Sequence, residues 1–130
     1  MEGGNTGREI KFCVYSKEAE EMLFWEDLLE APDLLEFLQH PNENEYYSRL
    51  LQFTGLIDDK RTVEYPDGQE IYDGDIVKWS SLNIDGEAIG EITLLGGCWF
   101  IQGEKHNGHL YDCLTCVVIG NTYKNKYQAT

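Results

Sequence analysis

Glu70-Ile71-Tyr72-Asp73-Gly74-Asp75-Ile76-Val77-Lys78-Trp79 is the stretch whose reading decides the fold. Asp73-Gly74 interrupts two runs of strand-forming residues. Glycine permits the positive φ of a sharp bend, and a flanking aspartate can accept bonds from nearby backbone N–H groups. The stretch therefore reads as a short strand, a turn and a second strand, with Gly74 at positive φ and Asp73 in a solvated turn.

The same rhythm continues on either side. Asp67-Gly68, Asp85-Gly86, Gly96-Gly97 and Asn107-Gly108 are dipeptides suited to tight hairpin turns. Between them lie the strand-like runs Ile89-Gly90-Glu91-Ile92-Thr93-Leu94, Cys98-Trp99-Phe100-Ile101 and Cys113-Leu114-Thr115-Cys116-Val117-Val118-Ile119. Short strands at this spacing predict a curled antiparallel barrel from about Tyr46 to Tyr123, with Asp67-Gly68, Gly96-Gly97 and Asn107-Gly108 at hairpin tips.

Toward the N-terminus the period changes. In Arg8-Glu9-Ile10-Lys11-Phe12-Cys13-Val14-Tyr15 the residues Ile10, Phe12 and Val14 share one face, which predicts a strand. Phe24, Trp25, Leu28 and Leu29 then recur at helical spacing, as do Leu34, Leu35, Phe37 and Leu38. Pro32 suits the first turn of the second helix, and Asp33 favours a helix N-terminus. His40-Pro41 ends it. The expected organisation is mainly β with minor α in a single domain over 1–130. It comprises an N-terminal strand (1–16), an acidic helical insertion (17–45) and a barrel core (46–130).

Charge narrows the function. The chain of 130 residues carries a formal net charge of −14. Between Lys17 and Tyr46 ten acids face one base, a net of −9. Such a field repels phosphate backbones and anionic membranes, so neither direct nucleic-acid binding nor membrane association is expected. No apolar run reaches about 18 residues, the length of a membrane span. The first residues lack a basic region followed by an apolar stretch, so the expected location is cytoplasmic. Cys13, Cys98, Cys113 and Cys116 are accordingly expected to stay reduced and unpaired.

Four stretches resemble, in order, the YopX family of phage and prophage proteins. They are Arg8-Glu9-Ile10-Lys11-Phe12; Leu51-Gln52-Phe53-Thr54-Gly55-Leu56 with Asp58; Glu70-Ile71-Tyr72-Asp73-Gly74-Asp75-Ile76-Val77; and Val118-Ile119-Gly120-Asn121-Thr122-Tyr123-Lys124-Asn125. The resemblance implies an SH3-like barrel in the C-terminal half and a phage or prophage origin. It implies no activity. The chain departs from the family pattern at Cys13, Tyr15 and Lys126, and the acidic stretch matches none of its motifs. Gln52, Thr54, Gly55, Asp73, Gly74, Asp75, Gly120 and Asn121 are read as structural motif residues, with Thr54-Gly55 and Gly120-Asn121 as turn devices like Asp73-Gly74.

Two constellations could carry chemistry. His106, His109, Cys113 and Cys116 are four candidate zinc ligands. Against zinc, residues i and i+3 of a strand point to opposite faces, which would part Cys113 from Cys116. Asp67, Asp73 and Asp75 could gather at one end of a barrel, but their spacing lacks the alternation and terminal glutamate of a calcium loop. No nucleophile triad, phosphate loop or HExxH pattern occurs. The expectation is a non-enzymatic accessory protein without a cofactor, acting through protein contacts with itself and with an unknown host or phage protein. The rival reading is an acidic decoy that mimics nucleic acid and occupies a host protein's site.

Overall fold

The alternation in Asp75-Ile76-Val77-Lys78-Trp79 sends Val77 and Trp79 inward and leaves Lys78 exposed. Around this strand a computed structural model describes residues 9–128. In chain order the strands are β1 (Phe12–Ser16), β2 (Glu21–Leu23), β3 (Leu51–Ile57), β4 (Glu70–Tyr72), β5 (Asp75–Ser80), β6 (Ala88–Leu95), β7 (Cys98–Gln102), β8 (Asn107–His109) and β9 (Thr115–Asn121). The helices are α1 (Trp25–Glu30), α2 (Leu34–Gln39) and α3 (Thr122–Gln128). The fold is mainly β, with curled antiparallel sheets forming a half-barrel and a few short helices.

The strands lie in two sheets, ordered β2-β1-β3-β4 and β8-β7-β6-β5-β9. The N-terminal strand is thus no appendage. β1 lies between β2 and β3. It is buried on both faces, at Cys13, Val14 and Tyr15, and α1 covers it through Trp25, 5.8 Å from Phe12. The alternation expected from Arg8 onward fails for that reason. Ile10 is exposed, Lys11 is buried beside Glu70, and Arg8 lies outside the described residues.

The core falls into two clusters, and Ile71 of β4 joins the larger one to the four-stranded sheet. Ile71, Val77, Trp79, Ile92, Trp99, Ile101, Leu110 and Cys116 form the larger one. Cys13, Leu51, Phe53 and Tyr72 form the smaller. Burying each large apolar side chain contributes about 1.5–3 kcal/mol, so the Trp79-centred cluster dominates.

The acidic stretch is less helical than expected. Glu21-Met22-Leu23 pairs with β1 as a strand, with Val14 opposite Leu23. α1 follows, its start held by Asp27, whose carboxylate accepts the Phe24 N–H at 3.0 Å. α2 begins at Leu34, after Pro32, and ends at His40 before Pro41. None of its side chains is buried.

Turn assignments divide. Gly96-Gly97 connects β6 to β7, where Leu95 faces Cys98. Asp67-Gly68 forms a turn within the long β3–β4 connection, with Gly68 N–H on the Tyr65 carbonyl at 3.0 Å, and is not a hairpin tip. Asn107-Gly108 lies inside β8, opposite Gln102 and Ile101. The bend falls earlier, where Asn107 Oδ1 accepts the Gly103 N–H at 3.0 Å. Gly108 is required for another reason. A Cβ there would stand 2.7 Å from the Trp79 ring.

Candidate functional site

Asp73-Gly74 joins the two sheets, and three of the four motif stretches meet at this corner. Gly74 has φ +85°, with nothing closer than 3.6 Å to a built Cβ, so backbone angle rather than space demands glycine. The corner is sewn in from three sides. Asp73 N–H donates to the Gln52 carbonyl at 2.9 Å, Gly74 N–H to Ile92 at 2.9 Å, and Thr122 N–H to Gly74 at 2.8 Å.

The side chains complete it. Asp75 Oδ2 accepts the Tyr72 N–H at 2.8 Å, and Asp75 Oδ1 accepts Asn121 Nδ2 at 2.9 Å. Asn121 Oδ1 in turn accepts the Tyr123 N–H at 2.9 Å and starts α3. Gly120 lies at the irregular end of the β5–β9 ladder, opposite Ile76. Thr54-Gly55 is not a turn but a bulge within β3. Gly55 has positive φ, the β3–β4 register shifts between Phe53 and Ile57, and Thr54 Oγ1 accepts the Leu56 N–H at 3.1 Å.

Asp73 corrects a second expectation. It is buried rather than solvated and receives both guanidinium nitrogens of Arg49, Nη2 to Oδ1 at 3.2 Å and Nη1 to Oδ2 closer still. That bond outweighs desolvation and raises the Arg49 pKa. Burial pushes the Asp75 carboxyl up to about 7. Its bonds from Asn121 and Tyr72 oppose the shift, and the charges of Asp73 and Asp58 add to it.

A second pair of aspartates closes the seam between the sheets. Asp58 accepts the N–H groups of Gln69 at 2.8 Å and Val118 at 2.9 Å. Asp59 accepts that of Cys116 at 2.7 Å. The outward amides of β9 are thereby capped by side chains.

Beside the corner opens a cleft of about 930 Å³. Its apolar wall includes Phe24, Ile57, Tyr65 and Ile119, and its acids include Glu21, Glu26, Glu64, Asp67 and Glu70. Among the described residues Lys124 is the one base lining it. Of the corner residues, Asp75, Gly120 and Asn121 reach the cleft, while Asp73 and Gly74 do not line it.

The zinc candidates are arranged differently from the strand reading. Cys113 caps the 3-10 turn Leu110–Asp112, and β9 begins only at Thr115. The opposite-faces argument therefore does not apply. Cys116 donates a hydrogen bond to Cys113, lowering the Cys113 pKa and raising its own. His109 stacks on Phe100 with ring centroids 4.3 Å apart, and His106 is exposed in the preceding bend. Among the described residues no group of three or more His, Cys, Asp or Glu side chains converges as a metal site. All four cysteines are unpaired.

Sequence reasoning missed Arg49, the Asp59 cap and the cleft wall. Arg49 stands alone after an acidic loop, a placement that marks a base held by a carboxylate. The cleft wall comes from four separated segments, so no local pattern announces it.

Over residues 11–127 the chain matches the family described as YopX protein. No curated protein and no solved structure matches it.

Proposed function

The chain belongs to the YopX family, which marks it as phage-related, and we propose that it is a cytoplasmic, non-enzymatic phage or prophage accessory protein that works through protein contacts, including contacts with itself. No helix among the described residues is long and apolar enough to cross a membrane.

One observation carries the reading: the end of the five-stranded sheet away from the Asp58–Asp59 seam combines an edge strand with exposed apolar side chains. Among the described residues β8 has a strand neighbour on one side only. The register puts Leu95 opposite Cys98 and Phe100 opposite His109, so Tyr111 leaves the edge strand toward the same end. Leu95 is 45% and Tyr111 67% exposed. Edge strands invite pairing, and exposed aromatics anchor interfaces. Of the three aspartates that could gather for chemistry, Asp73 is bound to Arg49 and Asp75 to Asn121 and the Tyr72 amide, while Asp67 lies exposed at the cleft rim.

Light scattering coupled to size exclusion, with reductant present because Cys98 is exposed, tests this. At −14 per chain, copies repel until salt screens them beyond about 10 Å at 0.1 M. Mass should therefore exceed one chain and rise with salt. A monomer mass at every salt concentration overturns self-association.

A further inference from the structure

We infer that the cleft beside the corner is a docking groove for a basic, amphipathic segment of a partner protein, whose lysines or arginines meet the rim and whose apolar side chains meet the floor. This rests on reading the chain as a contact protein and names the partner chemistry of a second surface.

The floor comes first. Phe24, Ile57, Tyr65 and Ile119 come from the start of α1, the end of β3, the β3–β4 connection and the end of β9. All four are exposed, Ile57 and Ile119 to about one half. Apolar side chains from four segments that meet at one cleft and stay open to water mark a binding surface. The volume, about 930 Å³, accommodates several side chains.

The rim then selects the occupant. Glu21, Glu26, Glu64 and Asp67 are exposed around that floor. They are spread apart, and no metal-binding group converges among the described residues. Dispersed carboxylates match dispersed cations, as along a peptide, rather than one ion. Phosphate backbones and a second acidic copy carry the wrong sign. An extended or helical segment with alternating basic and apolar side chains satisfies wall and rim together.

The test is fluorescence anisotropy with a short labelled peptide alternating lysine and leucine. Saturable binding is expected. It should weaken about tenfold or more as salt rises from about 50 to about 500 mM, since the rim charges are exposed. The exposed pair Glu64→Lys with Asp67→Lys should weaken it about tenfold, and the remote pair Glu36→Lys with Glu45→Lys less than about twofold. Ile119→Ser, and serine for leucine in the peptide, should each cost about tenfold by removing the apolar contact. The proposal is overturned if no saturable binding occurs, if remote and rim reversals weaken it equally, or if spermidine or the serine–lysine peptide binds as tightly. Light scattering on the same variants keeps the two readings separable. Lost peptide binding with association intact sinks only the groove.

Discussion

At Asp75, burial and hydrogen bonding pull in opposite directions. Burial wins and holds the carboxyl near 7, although Tyr72 and Asn121 both donate to it. An unfolded aspartate ionises near about 4, so folding takes up a proton at this site between about pH 4 and pH 7. The native state then binds more protons than the unfolded one, and this group's contribution to stability falls as pH rises through that window. Melting temperatures at about pH 5 and pH 8, at matched ionic strength, should drop further for the native sequence than for Asp75→Asn. Equal drops would place the proton elsewhere. The neighbouring corner residues separate angle from charge. Gly74→Val should cost about 1–3 kcal/mol, because a β-branched residue resists φ +85°. Asp73→Asn should also be felt, by about 1–2 kcal/mol, with Arg49 partly exposed. Arg49→Ala and Asp73→Asn should combine less than additively in urea unfolding, and strict additivity would show that the pair does not hold the corner.

Among the elements, β9 is the strand whose environment the sequence conceals most. Its continuous run Cys116-Val117-Val118-Ile119 announces a strand, and its pairing with β5 follows from the fold. The Asp58 and Asp59 caps on its outer edge join residues 57 or more positions apart in the chain, and nothing local signals them. Asp58→Ala leaves the Gln69 and Val118 amides without their acceptor and should cost roughly 1–3 kcal/mol, with increased aggregation from the opened edge. Chemical denaturation with turbidity at the same concentrations checks both. Unchanged stability would mean that water replaces the carboxylate freely. Legibility elsewhere follows the same division. Asp73-Gly74 and Gly96-Gly97 were readable because their bends are local. Asn107-Gly108 misled because Gly108 answers to Trp79, 29 positions earlier, rather than to a turn. β2 hid in an acidic stretch because three residues give too short an alternation to detect. Phe37 was legible as helical, but its contact with Tyr47 across the loop, at 4.9 Å, was not.

For the whole molecule, charge and apolar surface are distributed unevenly. The rim of the cleft is acidic, and Lys11, Lys17 and Arg49 are engaged by Glu70, Glu43 and Asp73. The β6–β8 end of the five-stranded sheet presents Leu95 and Tyr111 instead. We therefore propose contacts between copies at that end and basic partners at the cleft. Hydrogen–deuterium exchange at low and high protein concentration, in moderate salt and reductant, tests the central claim most directly. Slower exchange at high concentration is expected in β8, the β6–β7 turn and the residues around Tyr111, with the acidic residues 17–46 unchanged. Protection confined to residues 17–46, or none anywhere at high concentration, would contradict it.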